Sequence, residues 1–183
     1  MANLRFSTVK QISEAFPPVS KDIVIADPQL HPVKAVEQLV QEGETLRALT
    51  LCAYMLPRRE AVQWLCESLQ DYRAGFSNVD VEFLKLAEAW IKNSSEKNRS
   101  VAFAAAMDSG FLSAPAWAAA AVGWSGGNIS PDPEKPVPPF PYLTGQAVKT
   151  GFLIAYWNLF GDERGAKGKS AVGRALAFVH GST

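Results

Sequence analysis

Arg58, Arg59 and Glu60 are the residues of this chain best placed to do chemistry. They follow Pro57, which lacks an N–H and suits a helix start, so the three fall in the first turn of a helix. Glu60 complements the positive end of the helix dipole, whereas two arginines oppose it by about 0.3–1 kcal/mol each. A local conflict of this kind has its reason in the wider fold or in function. Two chemistries would resolve it. One is an ion pair with a distant carboxylate, for which Glu37, Glu82 and Glu88 are candidates. The other is a carboxylate or phosphate site, because guanidinium forks and free helix N–H groups both favour anions.

Other constellations are thinner. His31 and His180 are the only histidines and have no cysteine or carboxylate at ligand spacing, so no metal site is expected. Cys52 and Cys66 flank Pro57 in apolar helical settings and read as buried free thiols rather than nucleophiles or a disulfide. Asp80 and Glu82, two apart on a helix, point to different faces. Gly165-Ala166-Lys167-Gly168-Lys169-Ser170 mimics a phosphate loop, but Glu163 stands where the first glycine belongs and a helix precedes it instead of a strand. No Gly-x-Ser-x-Gly elbow occurs. No catalytic residue and no cofactor is therefore assigned. Trp64 and Trp90 fall on core faces. Trp117 and Trp124 lie on one uncharged helix that runs into Gly126-Gly127 and are spaced to line a groove. With Tyr142, at the end of a proline-rich loop, they complete the candidate binding set of Arg58, Arg59, Glu60, Trp117, Trp124, Gly126, Gly127 and Tyr142.

The elements that must position these residues are helices. Arg47 is the only charge over residues 46–56, and the apolar residues there cover nearly every face of a helix, which places that helix at the centre of a core. Pro57 breaks it, leaving either two helices at a corner or one kinked rod. The second runs over residues 57–72, with Ala61, Trp64, Leu65, Ser68 and Tyr72 on one face. Earlier, residues 7–16 form a weak helix stopped by Pro17-Pro18, and Pro32 opens another that Gly43 closes. Residues 1–31 as a whole read as a loosely packed arm.

Later, Ser77 or Asn78 caps a helix carrying Val79, Phe83, Leu86, Ala87 and Trp90. Ser94 or Ser95 caps the next, with Val101, Ala102, Ala104 and Ala105 inward. Ser113 caps an alanine-rich helix expected to pack closely on that one, with Trp117 and Trp124 filling gaps at its two ends. Residues 125–142 form a proline-rich strap of extended or polyproline II geometry, with Phe140 and Tyr142 pinned to the helices or its PxxP spacings open to an aromatic-lined groove. Thr144 caps the following helix. Glycines 165, 168 and 173 each lower helix propensity by about 1 kcal/mol, so the last segment is expected as a short helix behind a flexible start. The fold class is all-α: one domain over residues 1–183, of about eight helices, with the strap before the last two.

Composition narrows the function classes. Eighteen basic and eighteen acidic residues cancel, so no global basic field draws in nucleic acid. No polybasic run suits an anionic membrane, and the longest uncharged run, residues 109–131, has an apolar centre short of the roughly 20 residues a spanning helix needs. The first residues show no signal sequence, and two unpaired thiols suit a reducing cytoplasm, so a cytoplasmic location is expected.

Several segments, taken together, resemble those of a bacterial family of domains of unknown function. Leu56-Pro57-Arg58-Arg59-Glu60-Ala61-Val62-Gln63-Trp64 is similar to its LPRREAVWW segment. Pro115-Ala116-Trp117-Ala118-Ala119-Ala120-Ala121 and Trp124-Ser125-Gly126-Gly127 are similar to its PAGWAAAA and WSGG blocks. Pro138-Pro139-Phe140-Pro141-Tyr142-Leu143-Thr144 is similar to its PPPPHLT segment, and Ala171-Val172-Gly173-Arg174 to its glycine-containing tail. Tyr142 stands where many members carry histidine, which argues against a catalytic base there. The resemblance implies a cytoplasmic helical accessory protein, encoded in clusters that often include type VI secretion components, and implies no reaction.

The leading expectation is thus a non-enzymatic accessory or adaptor protein that binds another protein, with neither nucleic acid nor membrane as partner. An enzyme or small-molecule binder using Arg58, Arg59 and Glu60 as an anion site is the alternative, and an immunity protein against a toxin is a third.

Overall fold

Residues 46–56 contain too little polar surface to face water on any side, and they form the helix around which the others assemble. The computed structural model describes residues 4–130, 132, 134–158 and 161–181. Among them are nine α-helices and no strand: α1 (Val9–Ala15), α2 (Pro32–Gln41), α3 (Thr45–Met55), α4 (Arg58–Leu69), α5 (Asn78–Lys92), α6 (Glu96–Asp108), α7 (Ala114–Gly123), α8 (Leu143–Trp157) and α9 (Gly161–His180). The all-α, single-domain architecture follows the sequence expectation. Within α3 only Leu46 and Arg47 reach solvent, and α3 packs against α2, α8 and α9. Leu56 and Pro57 are both extended, at ψ 144 and 154, so α3 and α4 meet at a corner and are not one kinked rod.

Alanine makes a second buried rod of α7. Every residue from Ala114 to Gly123 except Trp117 is buried, and α7 packs on α8, α6, α5 and α4. Side chains this small let neighbouring backbones approach closely, so contact comes from proximity instead of interdigitating bulk. At Gly123 the approach is closest: a Cβ there would lie 2.2 Å from the Phe103 ring. Caps mark the helix starts. Ser77 and Asp80 form a reciprocal capping box on α5, while Ser95 and Ser113 accept from Asn98 N and Ala116 N.

Four expectations are corrected. The N-terminal segment is no loose arm: Val9, Ile12, Phe16, Val19 and Ile23 are each at most 5% exposed. Arg47, the one charge of α3, donates to the Val24 carbonyl and ties that segment down. The last segment is one 20-residue helix, α9, whose Ala171 carbonyl accepts from the Trp64 indole at 2.7 Å. Packing of Ala171, Val172 and Ala175 outweighs the weak propensity of its glycines. On α6 the inward residues are Arg99, Ala102 and Ala106, and Val101 faces solvent. Thr144 does not cap α8; it lies inside the helix and donates to the Trp124 carbonyl at 2.9 Å. Within the proline-rich strap, Pro131 and Pro133 lie outside the described residues, as does Leu159, which the sequence places at core spacing with Val148, Phe152 and Ala155.

Candidate functional site

The loop from Trp124 to Asn128 leaves the buried end of α7 with carbonyls that its own backbone does not satisfy. Side chains from three other helices supply the donors. Arg99 of α6 gives Nη1 to the Gly123 carbonyl at 2.6 Å and Nη2 to the Asn128 carbonyl at 3.1 Å. Arg58 of α4 gives Nη1 to the Ser125 carbonyl at 2.8 Å. Thr144 of α8 holds Trp124, as above. Arg99 is only 5% exposed, and Glu96 one turn earlier accepts from its Nε at 2.7 Å and its Nη2 at 2.5 Å. That hydrogen bond first, and the opposite charge after it, hold the Glu96 carboxyl below the usual carboxylate range.

The two glycines of the loop have different roles. Gly127 has φ +67, and a Cβ on it would sit 2.4 Å from Arg99 Nε. Gly126 has open space around it and ordinary backbone. Asn128 then redirects the chain, its Oδ1 accepting from Ser130 N at 2.8 Å and Val137 N at 2.7 Å at the start of the proline-rich strap.

Above this loop four aromatic rings form a chain. Phe103 lies 6.4 Å from Trp124, Trp124 lies 6.0 Å from Phe111, and Phe111 lies 5.3 Å from Trp117. Trp117 and Trp124 also meet edge to face at 6.0 Å. They do not fill gaps at opposite ends of α7: seven residues apart, they share a face and lean together. Phe111, Trp117 and Trp124 are each half-buried. Phe111 holds φ +60, the one positive value at a non-glycine among the described residues. Its neighbour Leu112 is 87% exposed. Leu112 also borders a cleft of about 370 Å³ lined by Tyr72, Phe76, Asp80, Ser113 and Lys167. The charges of that cleft are matched within the molecule. Asp80 accepts from Ser113 and Ser77, bonds that overcome burial and lower its pKa, and Lys167 pairs with Glu163 at 2.6 Å.

The structure brings Arg58, Trp117, Trp124, Gly126 and Gly127 together, and leaves three assigned residues apart from that cluster. Arg59 is exposed and donates to the Ile91 carbonyl at 2.9 and 2.6 Å. Glu60 stays half-buried in the first turn of α4. Tyr142 stands immediately before α8 and stacks on Phe140 at 5.8 Å. The expected ion pair from Arg58 or Arg59 to Glu37, Glu82 or Glu88 is replaced by backbone carbonyls, because the ends of α5 and α7 carry acceptors that must be matched. Arg99 escaped sequence reasoning. Its only signal was a register: it shares a helix face with Ala102 and Ala106, one turn after Glu96.

This arrangement suits holding better than bond-making. Both thiols are buried, and burial above all raises their pKa values far out of the thiolate range, with Glu88 and Glu67 adding to the effect at Cys66. Among the described residues no group of three or more metal-ligating side chains occurs, and no helix is long and apolar enough to cross a membrane. A family model described as "Family of unknown function (DUF6931)" matches residues 35–179. No curated protein and no solved structure matches.

Proposed function

We propose, for a chain that belongs to the DUF6931 family of unknown function, that it is a non-enzymatic accessory or adaptor protein that binds another protein in the bacterial cytoplasm. The setting proposed is type VI secretion, which rests on the segment resemblance around Leu56, Trp124 and Pro138. The observation that carries the binding role is the half-exposed Phe111–Trp117–Trp124 platform with Leu112 standing out beside it. Tryptophan is the commonest hot-spot residue at protein interfaces, and contiguous exposed apolar groups mark interaction sites. The platform rests on a loop held by Arg58, Arg99 and Thr144, so little ordering entropy remains to be lost on binding.

The test places a photo-crosslinking amino acid at Leu112 and, as a control, at Val24, which is also exposed but lies on the N-terminal segment. The expected result is one defined secretion protein captured from position 112, not from position 24, and lost in a Trp117→Ala background that still folds. A monomer that captures nothing from its own lysate at either position overturns the reading. Protection against a co-expressed toxin would replace it with the immunity role.

A further inference from the structure

Arg58 is incompletely matched. Its Nη1 reaches the Ser125 carbonyl, but its Nε is buried and has no acceptor. Ser68 Oγ is the only other buried side-chain nitrogen or oxygen in that condition among the described residues. Arg58 and Arg5 both line a cavity of about 20 Å³, and the Arg5 guanidinium lies over the ring of Phe6, another lining residue, at 5.5 Å. The remaining lining includes Phe6, Phe16, Tyr54 and Thr144, and no carboxylate among the described residues. Asp22, whose charge reaches Tyr54, is paired with Lys149 at 2.6 Å. Burial first, and the charge of Arg5 second, lower the pKa of Arg58. Two cationic residues therefore border one small space, and one of them carries a buried N–H without an acceptor.

We propose that the cavity between Arg5 and Arg58 is a binding site for one small anion, the head of a carboxylate or a halide. A water would satisfy Nε but leave the repulsion between the guanidiniums in place; an anion does both. The size of the space sets the class. About 10–15 Å³ accommodates one water-sized atom, so this cavity has room for one carboxylate oxygen or a chloride. Arg58 also opens α4, whose N-terminus has no side-chain cap, so the helix dipole favours the same charge. Since the same guanidinium grips Ser125, anion binding is coupled to the loop beneath the aromatic platform. The site stands independently of the adaptor role, and either can fail without the other.

The test follows the Arg58 Nε–Hε and Ser125 amide resonances by NMR while sodium formate is titrated in. Both signals are expected to move along one saturating curve, and chloride to reproduce it. Arg5→Gln, at an exposed residue whose loss disturbs little packing, is expected to raise the midpoint roughly tenfold. A non-saturating response, or an unchanged midpoint in Arg5→Gln, overturns the proposal. Triglycine with a free carboxyl and its C-terminal amide then separate the sources. Displacement of formate by the free acid alone supports a site for a partner's carboxylate, and displacement by neither supports a site for the free ion.

Discussion

Arg99 is the residue whose loss should be felt most widely. Its guanidinium serves two carbonyls on the far side of α7, and neither has another donor in reach of the same geometry. A carbonyl left unmatched in a buried setting costs about 1–3 kcal/mol, so Arg99→Ala should destabilise by roughly 2–4 kcal/mol in urea denaturation. Arg99→Lys should recover only part of this, since one ammonium cannot span both acceptors. The Glu96 contact adds less, because Glu96 is 65% exposed and solvent screens the pair. Its sign is nevertheless fixed. The folded-state pKa of Glu96 is depressed, so its contribution is present above the unfolded value and is lost as pH falls through the lower folded one. Stability should therefore drop below about pH 4.5, and the drop should be shallower in Glu96→Gln. The glycines next to Arg99 offer a sharper contrast. Gly127→Ala meets both a positive φ and the guanidinium, and should cost about 1–3 kcal/mol, whereas Gly126→Ala should stay within about 0.5 kcal/mol. Equal effects at the two positions would mean that Arg99 does not hold the loop as described.

At the scale of elements, α9 tests how far packing overrides propensity. Its three interior glycines argued against a long helix, and two of them are plain liabilities. At Gly165 and Gly173 an added methyl group would meet no atom within 4 Å, so alanine there should stabilise by about 0.5–1 kcal/mol through helix propensity alone. Gly168 differs: a Cβ would lie 2.7 Å from Thr45 Cγ2 and 2.9 Å from the Tyr156 ring. Gly168→Ala should therefore destabilise by about 1–3 kcal/mol, with Gly173→Ala on the same helix moving the melting temperature the other way. Composition could not separate these glycines, because the difference lies in what α3 and α8 bring against the helix. The same limit explains what was and was not legible elsewhere. The apolar run of α3, with Arg47 as its one charge, the Pro57 corner and the caps at Ser77, Ser95 and Ser113 are local signals and could be read directly. Arg99 on an alanine face gives almost no amphipathic contrast, so its inward direction left no period to detect. The N-terminal residues Ile12 and Val19 sit on either side of Pro17-Pro18, which breaks any common period although both are buried. Arg5 and Arg58 meet only because the N-terminal segment folds back over the corner between α3 and α4, a contact that no local pattern encodes.

For the whole molecule, the depth of the core is a measurable quantity, and the two cysteines sample it at different points. Cys52 sits on α3 at 0% exposure, beneath α2, α8 and α9. Cys66 sits on α4 at 3% exposure and borders a surface cleft of about 330 Å³ with Gln63, Glu67 and Glu88. Burial raises both thiol pKa values, so neither reacts as a thiolate in place, and labelling by a thiol reagent must wait for an opening that admits water and reagent. Opening α4 at the cleft disturbs its outer face against α5; exposing α3 requires separating the centre of the bundle. Sub-global openings cost less than complete unfolding and expose less surface, so they depend less steeply on denaturant. Cys66 should consequently label first in water, with a shallow denaturant slope. Cys52 should label at the rate and slope of global unfolding, and the two rates should converge as denaturant rises. Mass spectrometry of pulse-labelled protein assigns each rate to its cysteine. Labelling of Cys52 at the pace of Cys66 in water would show that α3 can be reached without dismantling the bundle, and would remove it from the centre of the fold.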